Sequence, residues 1–309
     1  MVVYHAINYS PFRPLAFEYL AFLPPSFILI AGFVVGQIYA FKYDLTRWAP
    51  YGRLLLRGFK LIALFTVCNL LLHIFEFRAF GWSEGIFEFA DRATSIYLIG
   101  NGRVAIFEVL LPIGYFLLTA PLLVYLSRYS RWSVVGIALA TFGLCVWLEK
   151  RGLSFDHLVL FSCGLFGMAL GAIPIQSINT LASRWAVVLP TYFLYRLASH
   201  WLGERYSVQV FGACATLLLL YAIALKWHSF RWLYQHVVQL GVYSLFAYFT
   251  QIVLLQILVR WIAGRPQHPW SVVATIGFTL VCTSLAVVLV AKLRARSSVA
   301  NTGYKTVFA

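Results

Sequence analysis

Four ionisable side chains, His5, His73, Glu108 and Arg196, fall within or at the ends of apolar stretches of this chain. Such groups cost roughly 2.5–3.5 kcal/mol each at the centre of a bilayer, so they are expected to face a cavity, a partner or a reacting group. A neutral imidazole at His5 can take a proton from a hydroxyl near neutral pH, which suits a general base. The plainer reading of His5 is a hydrogen-bonded residue between packed helices. Glu108 could orient an imidazole or bind a sugar hydroxyl, or pair with Arg103 or Arg196 to cancel charge in lipid. The run RLLLRGFK puts Arg53, Arg57 and Lys60 at i, i+4 and i+7, on one face of a helix. Three cations on one stripe could clamp phosphates. A topology signal that also touches anionic lipid would look the same, at about 1 kcal/mol per basic residue.

The elements that must position these residues are nine long apolar segments, near 19–41, 54–75, 104–126, 132–149, 155–174, 182–202, 206–226, 236–262 and 269–292. A hydrocarbon core of about 30 Å takes about 20 apolar residues to cross as a helix. Hydrophobic residues make up 61% of the chain and charged ones 11%, against roughly 45–50% and about 25% in soluble proteins. The surplus has no soluble core to fill. The expected fold is therefore all-α, a polytopic membrane helical bundle of about nine full transmembrane helices plus a partial first one at 1–10. That opening stretch is apolar but too short to cross, and reads as the end of a span whose first turns are missing; it shows no cleavable signal. Residues 1–292 read as a single transmembrane domain and 293–309 as a basic tail. Many of the 10 tryptophans fall near proposed span ends, where the indole ring prefers to sit.

A net charge of +14 would suggest nucleic acid in a soluble protein. Here the cations sit in loops between spans, with no soluble basic domain to carry a binding face, so nucleic acid is not expected as a partner. Taking alternate loops, 14 Lys and Arg fall on the side of the C-terminal tail and nine on the other, with Arg196 inside a span. The positive-inside rule then puts the C-terminus in the cytoplasm. The segment 76–103 falls outside, where it suits a partly helical interfacial loop, either a lid or an ordinary connector. The five cysteines lie inside apolar spans without metal-ligand spacing and read as small buried groups. No metal is expected. No Walker motif, dinucleotide glycine pattern, HExxH or GxSxG occurs, which argues against an ATPase, a zincin or a serine hydrolase of those types.

Three stretches together, VVYHA at 2–6, PPSFILIAGFVVGQIYAFKY at 24–43 and RLLLRGFKLIALF at 53–65, resemble the opening of the integral-membrane acyltransferases, the acyltransferase-three superfamily with its OpgC-like branch. Further on, IFEVLLPIGYFLLTAPLLVYLSR at 106–128 resembles the family's fourth span, with Glu108 where an acid is often found. LGVYSLFAYFTQIVLLQIL at 240–258 is similar to its penultimate span, with Gln251 where many members have His. The resemblance implies a membrane-bound O-acyltransferase. It would move an acetyl or succinyl group from acyl-CoA, a co-substrate rather than a bound cofactor, to a sugar or polysaccharide hydroxyl. It implies His5 and Glu108 as catalytic, Arg53, Arg57 and Lys60 as binding the donor, and Arg196, Tyr243, Ser244 and Gln251 along the acceptor path. Membrane lipids, the glycan acceptor and a second copy or an envelope-assembly protein are the implied partners, in a bacterial inner membrane. The alternative is a non-catalytic transporter or scaffold, for which Pro24-Pro25 and Pro190 are candidate helix breaks.

Overall fold

The computed structural model describes residues 2–8, 20–40, 49–74, 89–100, 107–153, 155–203, 205–227, 231–259 and 268–308. All regular structure among them is helical. In chain order the helices are α1 Val2–Asn8, α2 Leu23–Val34 with a π-helical end at Val35–Ala40, α3 Ala49–Ile74, α4 Leu110–Tyr129, α5 Arg131–Lys150, α6 Asp156–Leu170 and α7 Ile175–Ser183. They continue as α8 Trp185–Leu202, α9 Tyr206–Trp227, α10 Arg231–Val242, α11 Ser244–Ile257, α12 Pro269–Arg296 and α13 Ser298–Phe308. A second π-helical turn covers Ser95–Ile99.

Five of these helices are long and apolar enough to cross a membrane: α3, α4, α5, α9 and α12. Two further crossings arise if each of two bent pairs counts as one span. The described residues are thus all-α and of membrane-spanning type, with five to seven candidate spans among them where nine were expected in the chain. The differences have local causes. The segment 155–174 stops as a helix at Leu170 and turns by 97° into α7, over a Gly171–Pro174 stretch whose proline cannot continue the helical hydrogen bonding. The segment 236–262 bends by 86° between α10 and α11. Segment 182–202 begins in the last residues of α7, breaks at Arg184 and continues as α8, whose apolarity Arg196 and His200 lower. Segment 19–41 forms only a shorter apolar helix. The breaks do not fall at the prolines expected. Pro24 and Pro25 sit in the first turn of α2, where no donor is lost, and Pro190 lies inside an unbroken α8.

The chain forms two compact units, Met1–Leu23 with Ile223–Ala309, and Pro24–Ala222. In the second, α3, α4, α5 and α6 pack side by side, and the π-helical end of α2 lies against α4 and α6. Their shared core holds Val35, Tyr39, Leu54, Phe116, Val124, Leu165 and Met168. Small residues let backbones meet. A Cβ added at Gly36 would lie 2.6 Å from the Met168 carbonyl oxygen, and one at Gly58 would lie 2.9 Å from that of Gly114, the close approach typical of membrane helices. In the first unit α1 packs on α11 and α12, and these two pack on each other. The tail expected at 293–309 is also helical, as the end of α12 followed by α13.

Candidate functional site

The first unit carries His5. Its ring stands 5.8 Å from that of Tyr248 on α11 and 5.3 Å, edge-on, from that of Tyr4. The Nε2 atom is sealed from solvent and has no hydrogen-bond partner among the described residues. Gln251 lies one turn beyond Tyr248 on the buried face of α11, and its Nε2 also lacks a partner there. On α12 the buried positions are Val272, Thr275, Thr279, Thr283 and Val287. Steps of three and four define one helix face, so an apolar span presents a threonine stripe to the interior of its unit. The Thr279 and Thr283 hydroxyls have no partner among the described residues. Elsewhere in the chain, Thr66, Thr141 and Thr250 each donate to the carbonyl four residues back, at 2.8–2.9 Å.

The register of α11 against α12 brings Gln251 and Thr283 to similar levels, with Thr279 one turn further along α12. The Arg294 guanidinium, near the end of α12, lies 5.2 Å from the Tyr243 ring at the start of α11, so the two helices run antiparallel. At about 1.5 Å per residue, Gln251 stands about 12 Å along α11 from Tyr243, and Thr283 about 16 Å along α12 from Arg294. The difference is within the reach of an arginine side chain.

At that other end Arg294 is held between two rings, 5.2 Å from Tyr243 and 4.1 Å from Tyr304, and its Nε and Nη2 donate to Asn301 Oδ1 at 3.2 and 3.0 Å. Phe308 stands 5.6 Å from Phe246 and 6.1 Å from Phe249. α13 is therefore docked on the end of α12 through Asn301 and on the start of α11 through Tyr304 and Phe308. Burial pushes the Tyr304 phenol above its ordinary pKa, with Arg294 opposing. Of the four residues expected on the acceptor path, three belong to this unit: Gln251 shares α11's buried side with Tyr248 beside His5, Tyr243 packs at the docked end, and Ser244 is exposed.

The second unit carries Glu108, Arg53, Arg57, Lys60 and Arg196. Glu108 is half-buried in the turn ahead of α4 rather than a turn inside the helix, and its carbonyl accepts from Leu111 N at 3.2 Å. It follows Phe107, whose φ of 68° is a left-handed conformation uncommon outside glycine. Arg53 and Arg57 are exposed on the first turns of α3 and Lys60 is half-buried, so the basic stripe is a helix face as expected. Arg57 Nη1 reaches Tyr39 Oη at 3.5 Å. Arg196 is half-buried on α8, with its guanidinium 5.8 Å from the Tyr195 ring. His73 lies on the last turn of α3, where the side chain falls outside the described residues, as do 75–88 and 101–106 of the expected outer loop.

The described part of that loop is inserted among helices. The Tyr97 hydroxyl shares a 2.6 Å hydrogen bond with Thr66 of α3, and Tyr115 of α4 donates to the Tyr97 carbonyl at 2.7 Å. His157, a buried residue of α6 that the apolar reading of 155–174 passed over, places Nε2 2.6 Å from the Ile96 carbonyl. A carbonyl only accepts, so Nε2 carries the proton and Nδ1 holds the lone pair. Thr279 and Thr283 were also missed, although a polar residue at every fourth position from 275 to 283 of an apolar run signals a lined face.

Among the described residues, no three His, Cys, Asp or Glu side chains come together as metal ligands. All five cysteines are free, with Cys145 and Cys163 buried. No family model, curated protein or solved structure matches the chain.

Proposed function

We propose that this protein is a membrane-bound O-acyltransferase that moves an acetyl or succinyl group from acyl-CoA to a sugar or polysaccharide hydroxyl. The observation that carries this reading is His5 Nε2, a buried imidazole nitrogen with no partner among the described residues, in the same unit as the equally unpartnered Gln251 amide. An imidazole in its neutral form can accept the proton of an attacking hydroxyl, and the alkoxide-like oxygen then adds to the thioester carbonyl as the coenzyme thiolate leaves. The stripe of exposed Arg53 and Arg57 with half-buried Lys60 suits the donor's phosphates, which take charge-assisted hydrogen bonds from guanidinium groups. Glu108 and Arg196 keep roles to be assigned separately, Glu108 in hydrogen bonding to a hydroxyl and Arg196 in balancing charge.

The test is acylation of glycans by labelled acyl-CoA in membranes, comparing wild type with His5→Ala at matched abundance. A base supplies about 10²–10⁴-fold, so the variant is expected to lose nearly all activity while keeping its unfolding temperature. Equal activity in both proteins would remove His5 from the mechanism, and no acylation in either would sink the reading.

A second reading, transport, is favoured by one specific observation. Each unit holds one bent helix pair, α6 with α7 and α10 with α11, and paired broken helices are a mark of transporter halves. Uptake of a glycan into sealed vesicles, without covalent change, would select it.

The same proposal counts nine crossings, from the five long helices, the two bent pairs, α2 with its π-helical end, and α8. It places the C-terminus in the cytoplasm of a bacterial inner-membrane protein, on the excess of cations on that side. Reaction of single introduced cysteines with an impermeant thiol reagent, loop by loop, tests both the count and the orientation.

A further inference from the structure

The loop expected at 76–103 as a lid or a connector is fastened, over its described residues 89–100, to three helices at once. Thr66 of α3 shares a 2.6 Å hydrogen bond with the Tyr97 hydroxyl, Tyr115 of α4 donates to the Tyr97 carbonyl at 2.7 Å, and His157 of α6 donates to the Ile96 carbonyl at 2.6 Å. Phe89 and Ile96 are buried by this docking. Of the three fasteners, only His157 changes charge near neutral pH. Its ring is boxed in. Tyr115 stands edge-on at 5.8 Å, and a Cβ on Gly100 would lie 2.9 Å from Nδ1. Gly100 holds a φ of 80°, which glycine adopts without strain, and closes the π-helical turn by donating its N–H to the Ser95 carbonyl at 3.0 Å. The neutral ring uses its one N–H on Ile96 and leaves Nδ1 sealed, with no partner among the described residues. Protonation would put a second N–H there, facing no acceptor, and a charge on a side chain only 6% exposed.

We propose that His157 is a proton-operated latch. Neutral, it holds the 89–100 strap against α3, α4 and α6; protonated, it lets the strap go. Among the described residues, the charged groups around it leave the sign of this effect unchanged. Asp156, exposed on the preceding residue of α6, stays beside the ring whether the strap is held or released. The strap's own Asp91 and Arg92 are exposed at its start. On α5, Glu149 accepts from the Tyr206 amide of α9, and Lys150 and Arg151 beyond it are exposed cations. α4 presents Tyr115, with Glu108 half-buried ahead of its first turn, and α3 contains no carboxylate. The side chain of His73, together with Glu76, Arg78, Glu84, Glu88 and Arg103 of the loop, lies outside the described residues. A carboxylate that accepted from Nδ1 would tighten the strap in acid, the opposite sign. A released imidazole takes its proton at about pH 6.5. If the held ring takes none, the open fraction grows about tenfold between about pH 7.5 and about pH 5.5, a range in which carboxylates of ordinary pKa stay ionised.

The test follows hydrogen exchange by mass spectrometry in the full chain in lipid nanodiscs, at those two pH values and corrected for the intrinsic pH dependence of amide exchange. No acyl donor or sugar is present, so the result is separate from the acyl-transfer reading. Peptides spanning 89–100 report the strap, and peptides of α9 report the rest of the same unit. The expected result is strap exchange about tenfold faster at the lower pH, with α9 unchanged. His157→Gln keeps an amide N–H for the Ile96 carbonyl and takes up no proton, so its strap should exchange equally at both pH values. Gly100→Ala presses a methyl group against Nδ1 at a φ that disfavours it, and should open the strap already at the higher pH. Wild-type strap exchange that is equal at the two pH values, or slower at the lower one, would overturn the proposal. So would acid opening of the same size in His157→Gln, which traces to carboxylates, or acceleration of α9 together with the strap, which is a loosening of the whole unit. A Gly100→Ala strap as protected as the wild type would show that Nδ1 is not sealed by the strap, with the same consequence. The wild-type comparison decides by itself where a variant fails to fold.

Discussion

The two units differ in how many of their buried polar groups find partners. In Pro24–Ala222 most of them are matched: Thr66 with Tyr97, Tyr115 with the Tyr97 carbonyl, Ser162 with Tyr206, Tyr221 with Asn179, and Glu149 with the Tyr206 amide. Glycines bring its helices together, as at Gly36 against Gly171 and Gly58 against Gly114. The unit of residues 1–23 and 223–309 has no such glycine contacts among its described residues, and its buried imidazole, amide and threonine stripe go unmatched. Paired polar groups specify one packing; unpaired ones cost free energy and are kept where something else pairs them. The comparison thus separates a scaffold from a site. The contrast is one of degree, since in Pro24–Ala222 the Thr216 hydroxyl and His157 Nδ1 are also buried with no partner among the described residues.

The largest effect that would sharpen the contrast is expected at Gly167. A Cβ there would come within 2.8 Å of the Leu29 carbonyl carbon, which is backbone and cannot move aside. Gly167→Leu should cost about 3 kcal/mol or more, seen as loss of folded protein on size-exclusion chromatography in detergent. Gly241→Ala, in the other unit and in open space, should leave the elution profile unchanged.

A paired and an unpaired hydroxyl make the next comparison. Ser162→Ala strands the buried Tyr206 hydroxyl and should destabilise by about 1–3 kcal/mol. Thr279→Val removes a hydroxyl that has no partner and should cost nothing or stabilise. Both are read from thermal unfolding in the absence of ligand. A Thr279→Val loss as large as that of Ser162→Ala would erase the distinction between the units.

The smallest effect concerns the docked tail. Tyr304→Ala removes the ring that faces Arg294 and should release α13 at a cost of about 0.5–2 kcal/mol, measured as faster proteolysis after residue 296. The phenol's folded pKa is raised, so the folded state holds its proton more tightly than the unfolded one. Its contribution is full below the unfolded value of about 10 and is lost as pH rises past that through the folded pKa. Tail protection should therefore weaken above about pH 10, and do so less in Tyr304→Phe.

Hydropathy made the long spans legible because length and composition alone decide whether a helix can cross. It could not locate the bends. Apolar residues continue through the turn at Gly171–Pro174 and the one at Tyr243, so hydropathy runs on unbroken where Pro174 ends the hydrogen bonding of the first. The tail reads as polar and basic, yet its Asn301, Tyr304 and Phe308 share one face and dock; the partners, Arg294 and Phe246, lie on other helices. His5, Gln251 and the basic stripe were visible as types in unusual places. The pairing of His5 with α11 was not, because spacing within a span says nothing about contacts between spans. Thr279 and Thr283 were visible in principle, through their period of four, but a threonine is cheap enough in lipid to pass as ordinary.

The claim at the centre is that the interior of the first unit is a reachable ligand site and the interior of the second is closed scaffold. Diethyl pyrocarbonate acylates unprotonated imidazole, and mass spectrometry reads His5 and His157 in the same sample of the full chain in nanodiscs. The expected result is modification of His5 that slows several-fold in the presence of glucose, with His157 modified little and unaffected by the sugar. An unreactive His5, a reactive His5 that glucose does not protect, or equal protection at both histidines would contradict the division.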